Sequence, residues 1–324
     1  MTLRRVILSL LTACCLSGPA QAAANEPGDC PPAVRPPNAE EQTAGWRDAR
    51  DRGMLWRVEK DGRTSWLYGT IHIGKMAWTF PGPTVRTALE ASDTLALELD
   101  PLDNEMLGRL QARMTRDARL TLTRSLDRRL RTQLRQACMP EAYADQIAPE
   151  MLATNLTMTA TARDGLHALF GIDISLARLA RSMNKPVASL ETVERQLAGL
   201  ISANETDLRS NLARMLDDLE RGRVRPLTLR LAQAWESGRD EELRKFAEWC
   251  GCANTPQARA QLKTLLDDRN PGLADAVDQL HASGKSVFAA VGSLHLVGRE
   301  GLPALMARRG YAVTRVPLLA GQLR

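Results

Sequence analysis

Histidine is scarce in this chain: four occur in 324 residues, beside 22 glycines and 43 lysines and arginines. No Gly-x-Ser-x-Gly elbow and no His-Glu-x-x-His helix is present, which removes support from serine-hydrolase and zincin readings. Past the first 22 residues no apolar run is long enough to cross a bilayer, so no integral span is expected. The charge balance is also modest. The formal net charge of +5 becomes about +3 once Arg4 and Arg5 leave with the amino-terminal segment, too little to argue for a nucleic-acid partner. The arginines at 124, 128, 129, 131 and 135 read as a solvated helix face.

The amino-terminal segment has its own signature. Arg4 and Arg5, an apolar run from Val6 to Leu16, and Ala20-Gln21-Ala22 together read as a signal peptide over residues 1–22, implying a periplasmic protein. A second reading stands beside it: Leu11-Thr12-Ala13-Cys14 resembles a lipobox, which would leave a lipid anchor on Cys14. Residues 23–45, with Pro27, Pro31, Pro32, Pro36 and Pro37, read as a proline-rich linker. Cys30, Cys138, Cys250 and Cys252 remain in the mature chain. An even count in an exported chain favours two disulfides, with three pairings open. The Cys250-Gly251-Cys252 spacing alone also admits metal or redox chemistry.

Two of the four histidines sit in the same local motif, Gly69-Thr70-Ile71-His72 and Gly292-Ser293-Leu294-His295. Each motif closes an apolar run with strand character, so both histidines fall just past the carboxyl end of a strand. In open α/β sheets that edge binds ligands, and a glycine there permits a sharp turn or a close approach. Lys60-Asp61-Gly62-Arg63 between two apolar runs signals a hairpin. A short helix with Val85, Ala88 and Leu89 on one face leads to the strand Thr94–Leu99, whose Glu98 is a carboxylate in an otherwise apolar run. A further strand, Lys185–Thr192, ends similarly in Glu191. Arg269, before an expected Asn270-Pro271-Gly272 turn, is a candidate anion binder or an ordinary helix-end cation.

The expected fold is α/β: a small, mostly parallel sheet built from 54–101, 185–192 and 285–318, with a large helical insertion at 102–184 and 193–284, all within one domain over 46–324. Four strand ends then present His72, Glu98, Glu191 and His295 on one edge. Two imidazoles with one or two carboxylates suit a divalent transition metal such as manganese, cobalt or zinc, which would activate water for hydrolysis. The same groups without metal suit acid–base catalysis.

Several separated blocks carry a family resemblance. Leu67-Tyr68-Gly69-Thr70-Ile71-His72-Ile73-Gly74, Leu97-Glu98-Leu99-Asp100, Gly171-Ile172-Asp173, Leu190-Glu191-Thr192 and Val291-Gly292-Ser293-Leu294-His295-Leu296-Val297-Gly298 resemble, in this order, the TraB/GumN family over about residues 54–317. The resemblance implies similarity to the TIKI metal-dependent proteases, and more distantly to erythromycin-esterase and ChaN-like folds. It implies His72, Glu98 and His295 as metal-holding catalytic residues, with Glu191 and Arg269 as weaker additions, and a peptide or small ester as substrate. The alternatives are a metal-free esterase, or a non-catalytic periplasmic protein that captures a metal, a haem-like group or polysaccharide.

Overall fold

A computed structural model describes residues 30–117 and 119–318. The signal-peptide and lipobox readings, Cys14 included, lie outside them. Contacts divide the chain into two compact units. Of the described residues, one comprises 30–36 with Gly108–Leu169 and Leu200–Leu229; the other comprises Pro37–Leu107, Phe170–Gly199 and 230–318.

The second unit holds a six-stranded sheet. Its strands are β1 (Leu55–Lys60), β2 (Arg63–Thr70), β3 (Thr94–Leu97), β4 (Val187–Ser189), β5 (Val287–Gly292) and β6 (Ala312–Val316), in the order β4-β3-β5-β2-β1-β6. The β4–β3, β3–β5 and β5–β2 pairs are parallel, while β1 runs antiparallel to β2 and β6. The sheet is therefore mostly parallel and drawn from both chain ends plus the Pro186 strand, as expected. Asp61 and Gly62, with φ of 52° and 71°, form the β1–β2 turn; two successive left-handed residues match the right-handed twist of the strands they join.

Parallel strands covered on both faces become continuous apolar runs. β3 is buried throughout, and β5 is buried from Val287 to Val291. Val287, Ala289 and Val291 face one core with Leu273, Ala274 and Val277 of the helix Asn270–Ala282 and Leu302, Leu305 and Met306 of the helix Leu302–Arg308. On the alternate side, the ring of Phe288 lies 5.7 Å from that of Tyr68. The helix Pro83–Glu90 buries Val85, Ala88 and Leu89, as its pattern predicts.

The helical unit is organised by leucines spaced four apart. Leu126, Leu130 and Leu134 of Arg124–Gln136 and Leu208, Leu212 and Leu216 of Glu205–Glu220 are buried in a packed helix pair, the one-sided stripe that a 3.6-residue period produces. Cys30–Cys138 is a disulfide.

Four expectations need correction. The helix Ala39–Arg47, opened by an Asn38/Glu41 capping box, occupies the end of the segment read as linker; reciprocal capping satisfies its first amides. The helical middle is not one insertion, since residues 230–284 belong with the sheet. Asn270-Pro271-Gly272 opens a helix rather than breaking one, because proline is tolerated where the first amides have no helical partner. The arginine face is only partly solvated: Arg129 pairs with Asp217 and Glu220, Arg131 with Asp127 and Asp145, and Arg135 with Glu141.

Phe288 is fully buried in the central strand. Phe288→Ala is expected to destabilise the protein by about 3–5 kcal/mol, read as a lower urea midpoint at unchanged slope.

Candidate functional site

The parallel register brings the strand ends level, with Leu97 opposite both Ala290 and Ser189, and Thr70 opposite Gly292. Glu98, Glu191, His72 and His295 follow β3, β4, β2 and β5 by one to three residues. They occupy the carboxyl edge of the sheet.

The motif glycines are there for close approach. A Cβ on Gly292 would lie 3.2 Å from Glu98 Oε1, and the Gly292 N–H donates to that oxygen at 2.7 Å. A Cβ on Gly69 would lie 3.0 Å from Met54 Cε and 3.2 Å from Ser293 Cβ of the other motif. Neither glycine has a positive φ, so of the two uses expected of them only contact applies. Gly74 is stricter still: a Cβ there would sit 2.3 Å from the Phe170 carbonyl oxygen.

Each histidine has one nitrogen committed. His72 Nδ1 lies 2.7 Å from Asp173 Oδ2, and Asp173 Oδ1 accepts from Thr70 Oγ1 at 2.5 Å. A carboxylate only accepts, so Nδ1 carries the proton and Nε2 is left open. Asp173 sits in the first turn of the helix Ile172–Ser182, which docks by Ile172 N–H donating to the Ile71 carbonyl. His295 Nδ1 lies 2.6 Å from Asn270 Oδ1, while Asn270 Nδ2 donates to the Glu300 carbonyl at 2.8 Å. That second bond assigns the amide orientation. His295 therefore donates from Nδ1, and its Nε2 faces Glu98 Oε1 at 3.9 Å.

The environments of the two rings differ. The His72 side chain is 59% exposed and that of His295 only 4%. The Asp173 charge pushes His72 up to about 9; desolvation opposes it, and the Asp173 hydrogen bond and Glu98 assist. Burial holds His295 down at about 4, against the pull of Glu98. At neutral pH one ring is charged and the other neutral.

Glu98 and Glu191 share one cation. Arg269 Nη2 bonds both carboxylates, and Arg269 Nε donates to Glu191 Oε2 at 3.1 Å. Gln196 adds a 3.3 Å contact to Glu98 Oε2. Burial alone would raise Glu98, but His295, Arg269, His72 and the Gly292 N–H together hold it well below the usual carboxylate range. Glu191 is raised by burial, with Arg269 opposing. The same carboxylates raise Arg269 against its desolvation.

Of the residues expected at the site, Glu98, Glu191, His295 and Arg269 are linked through direct contacts, and His72 is coupled to Glu98 and Arg269 by charge. Arg269 is an anion binder whose anions are internal. Asp173 and Asn270 are additions. In sequence an acid in a first helical turn and an Asn before Pro each have a sufficient local explanation, which hid their bonds to the histidines. Among the described residues no three His, Cys, Asp or Glu groups stand close enough to enclose a metal ion; Glu98 is bonded to Arg269 and Gly292.

Sheet topology and site together define an α/β protein with a buried histidine–carboxylate cluster at the carboxyl edge of its parallel strands. Within that class the chain belongs to the TraB/PrgY/gumN family, whose model matches residues 54–315. It is 26% identical to the uncharacterized protein YbaP of Shigella flexneri over 253 residues, covering 75% of this chain and 88% of that protein. It is likewise 26% identical to the uncharacterized protein YbaP of Escherichia coli strain K12 over 249 residues, covering 74% and 86%. No solved structure matches.

Asp173→Asn is expected to lower the His72 pKa from about 9 toward 6.5, followed by NMR titration of the ring protons. Because the folded-state value is raised, the stability that His72 protonation contributes is fully present below about pH 6.5 and is lost as pH rises through about 9. The variant should flatten that part of the stability profile.

Proposed function

We infer that this chain is an exported, metal-dependent hydrolase acting on peptide or small ester bonds. The observation that carries the reading is the paired locking of the histidines. Each gives its Nδ1–H to an oxygen of another residue, so Nε2 is the nitrogen left for an ion, at His72 once its second proton is released, the arrangement by which a second residue orients a metal-binding imidazole. Glu98 Oε1, 3.9 Å from His295 Nε2, is near enough for both to reach one ion at metal–ligand distances of about 2.1 Å. Glu98 and Glu191 meet one guanidinium, and Asp173 holds a third negative charge against His72, so release of the His72 proton leaves the cluster with excess negative charge suited to a cation.

On this reading His72, His295 and Glu98 would hold a divalent ion of the manganese, cobalt or zinc kind, although the donors do not close around a centre as the side chains lie. When bound, such an ion supplies Lewis acidity and an activated water. The chain's own residues do the rest. Arg269, bonded to Glu191 and Glu98, would compensate charge beside the ion. Glu191, raised by burial, is the better proton acceptor of the two glutamates. Export rests on the residues 1–22 signature, with the lipid anchor at Cys14 as its variant, and is supported by the disulfides and by the absence, among the described residues, of any helix able to cross a membrane.

A second reading draws on a different observation. His295, neutral at pH 7 with its Nδ1–H held by Asn270, has the form of a general base, and His72, charged and half open to solvent beside Asp173, that of a proton donor; together they would serve a metal-free esterase. Chelation separates the two. With a peptide and ester panel and manganese, cobalt or zinc supplied, turnover is expected to vanish on chelation and to fall at least about 100-fold in His72→Ala and His295→Ala. Activity that survives chelation would overturn the metal reading; unchanged turnover in both variants would overturn the site.

Two consequences are measurable without turnover. Asn270→Ala is expected to weaken metal affinity about 10–100-fold. Metal binding near pH 7 is expected to release about one proton, from His72, detectable by calorimetry in buffers of different ionisation enthalpy.

A further inference from the structure

The cysteines at 250 and 252 are bonded to each other across one glycine, with a Cα–Cα distance of 5.1 Å. This bridge lies apart from the residues of the site described above. By loop-closure reasoning a cross-link gains stabilisation with the length of chain it closes, so a bridge across one residue contributes least. Cys30–Cys138, spanning 108 positions, is the opposite case. The segment around Cys250 is also held by other bonds. Trp249 Nε1 donates to the Glu242 carbonyl at 2.9 Å and stacks under the Arg230 guanidinium at 4.2 Å. Arg259 Nη1 donates to the Ala253 carbonyl at 3.0 Å, and the Thr255 hydroxyl caps the helix Pro256–Leu265 through Ala258 N–H at 3.1 Å. None of these needs the disulfide.

Access and polarity favour exchange. Both cysteines are half-buried and Gly251 is exposed. Its φ of +66° is the left-handed conformation that a glycine adopts without cost, and nothing lies within 4 Å of where a Cβ would stand. The Cys252 N–H lies 2.9 Å from Cys250 Sγ, so a thiolate formed at Cys250 has a donor beside it. Attack at Cys252 is thereby favoured, since a stabilised thiolate leaves faster.

We propose that Cys250-Gly251-Cys252 is a reversible thiol–disulfide exchange site whose partner is a dithiol on another polypeptide. One partner thiolate attacks Cys252 Sγ, forming a mixed disulfide and breaking the Cys250–Cys252 bond; Cys250 leaves as a thiolate and takes up a proton. The partner's second thiolate then attacks its own bonded sulfur, and Cys252 leaves and is protonated. Two electrons and two protons pass from the partner to this chain, and the partner gains a disulfide. The reverse sequence returns them.

The test uses the oxidised mature protein in graded dithiothreitol buffers, with free thiols alkylated and located by mass spectrometry. Cys250–Cys252 is expected to open at a dithiol-to-disulfide ratio at least about 10-fold lower than Cys30–Cys138. The oxidised protein should also convert a reduced synthetic two-cysteine peptide to its disulfide, one peptide per chain, and Cys250→Ser/Cys252→Ser should lose this without a change in Tm. A bridge that opens no earlier than Cys30–Cys138, or wild-type protein that oxidises no peptide, overturns the proposal. So does a double variant whose Tm falls as far as that of Cys30→Ser/Cys138→Ser, because the bridge would then be a structural staple.

Discussion

The site depends on a single buried guanidinium. Arg269 is 8% exposed and meets two carboxylates that are almost equally hidden. Three ions taken out of water at once are costly, and such a group persists only when its members satisfy one another. Removing Arg269 would leave Glu98 and Glu191 facing each other unpaired, a change of about 3–5 kcal/mol for buried pairs. The cluster also fixes geometry. Arg269 lies at the head of the helix Asn270–Ala282, and the next residue orients His295. One helix start thus holds the carboxylates and sets the imidazole.

The same economy governs the two glycine motifs. β2 and β5 are neighbours in register, so the turn after one strand abuts the turn after the other. Gly69 makes room for Ser293, and Gly292 makes room for Glu98 while donating to it. A side chain at Gly69 would press on Met54 and Ser293, and one at Gly292 on Glu98 and the His295 ring.

Much of this was legible in the sequence because strand ends and glycines are local signals. The hairpin at Asp61-Gly62, the Val85/Ala88/Leu89 face, the strand that leads to Glu98 and the shared edge all follow from short-range pattern. The partners of the histidines did not. Asp173 lies 101 residues from His72, and Asn270 25 residues from His295, and pairing across such separations is decided by tertiary packing. The Asn270-Pro271-Gly272 run reads as a turn for the same reason: proline and glycine interrupt helices in general, and only the surrounding fold makes that run the first turn of one. The capping box of Ala39–Arg47 was present in the residues but was outweighed by the prolines before it.

The two imidazoles are unequal in exposure and in the nature of their supporting oxygen. His295 is enclosed and backed by a neutral amide; His72 is open and backed by a carboxylate. Between about pH 7 and 9 a change in acidity therefore reaches the cluster through the outer ring alone, because His295 is already neutral there while His72 is still giving up its proton.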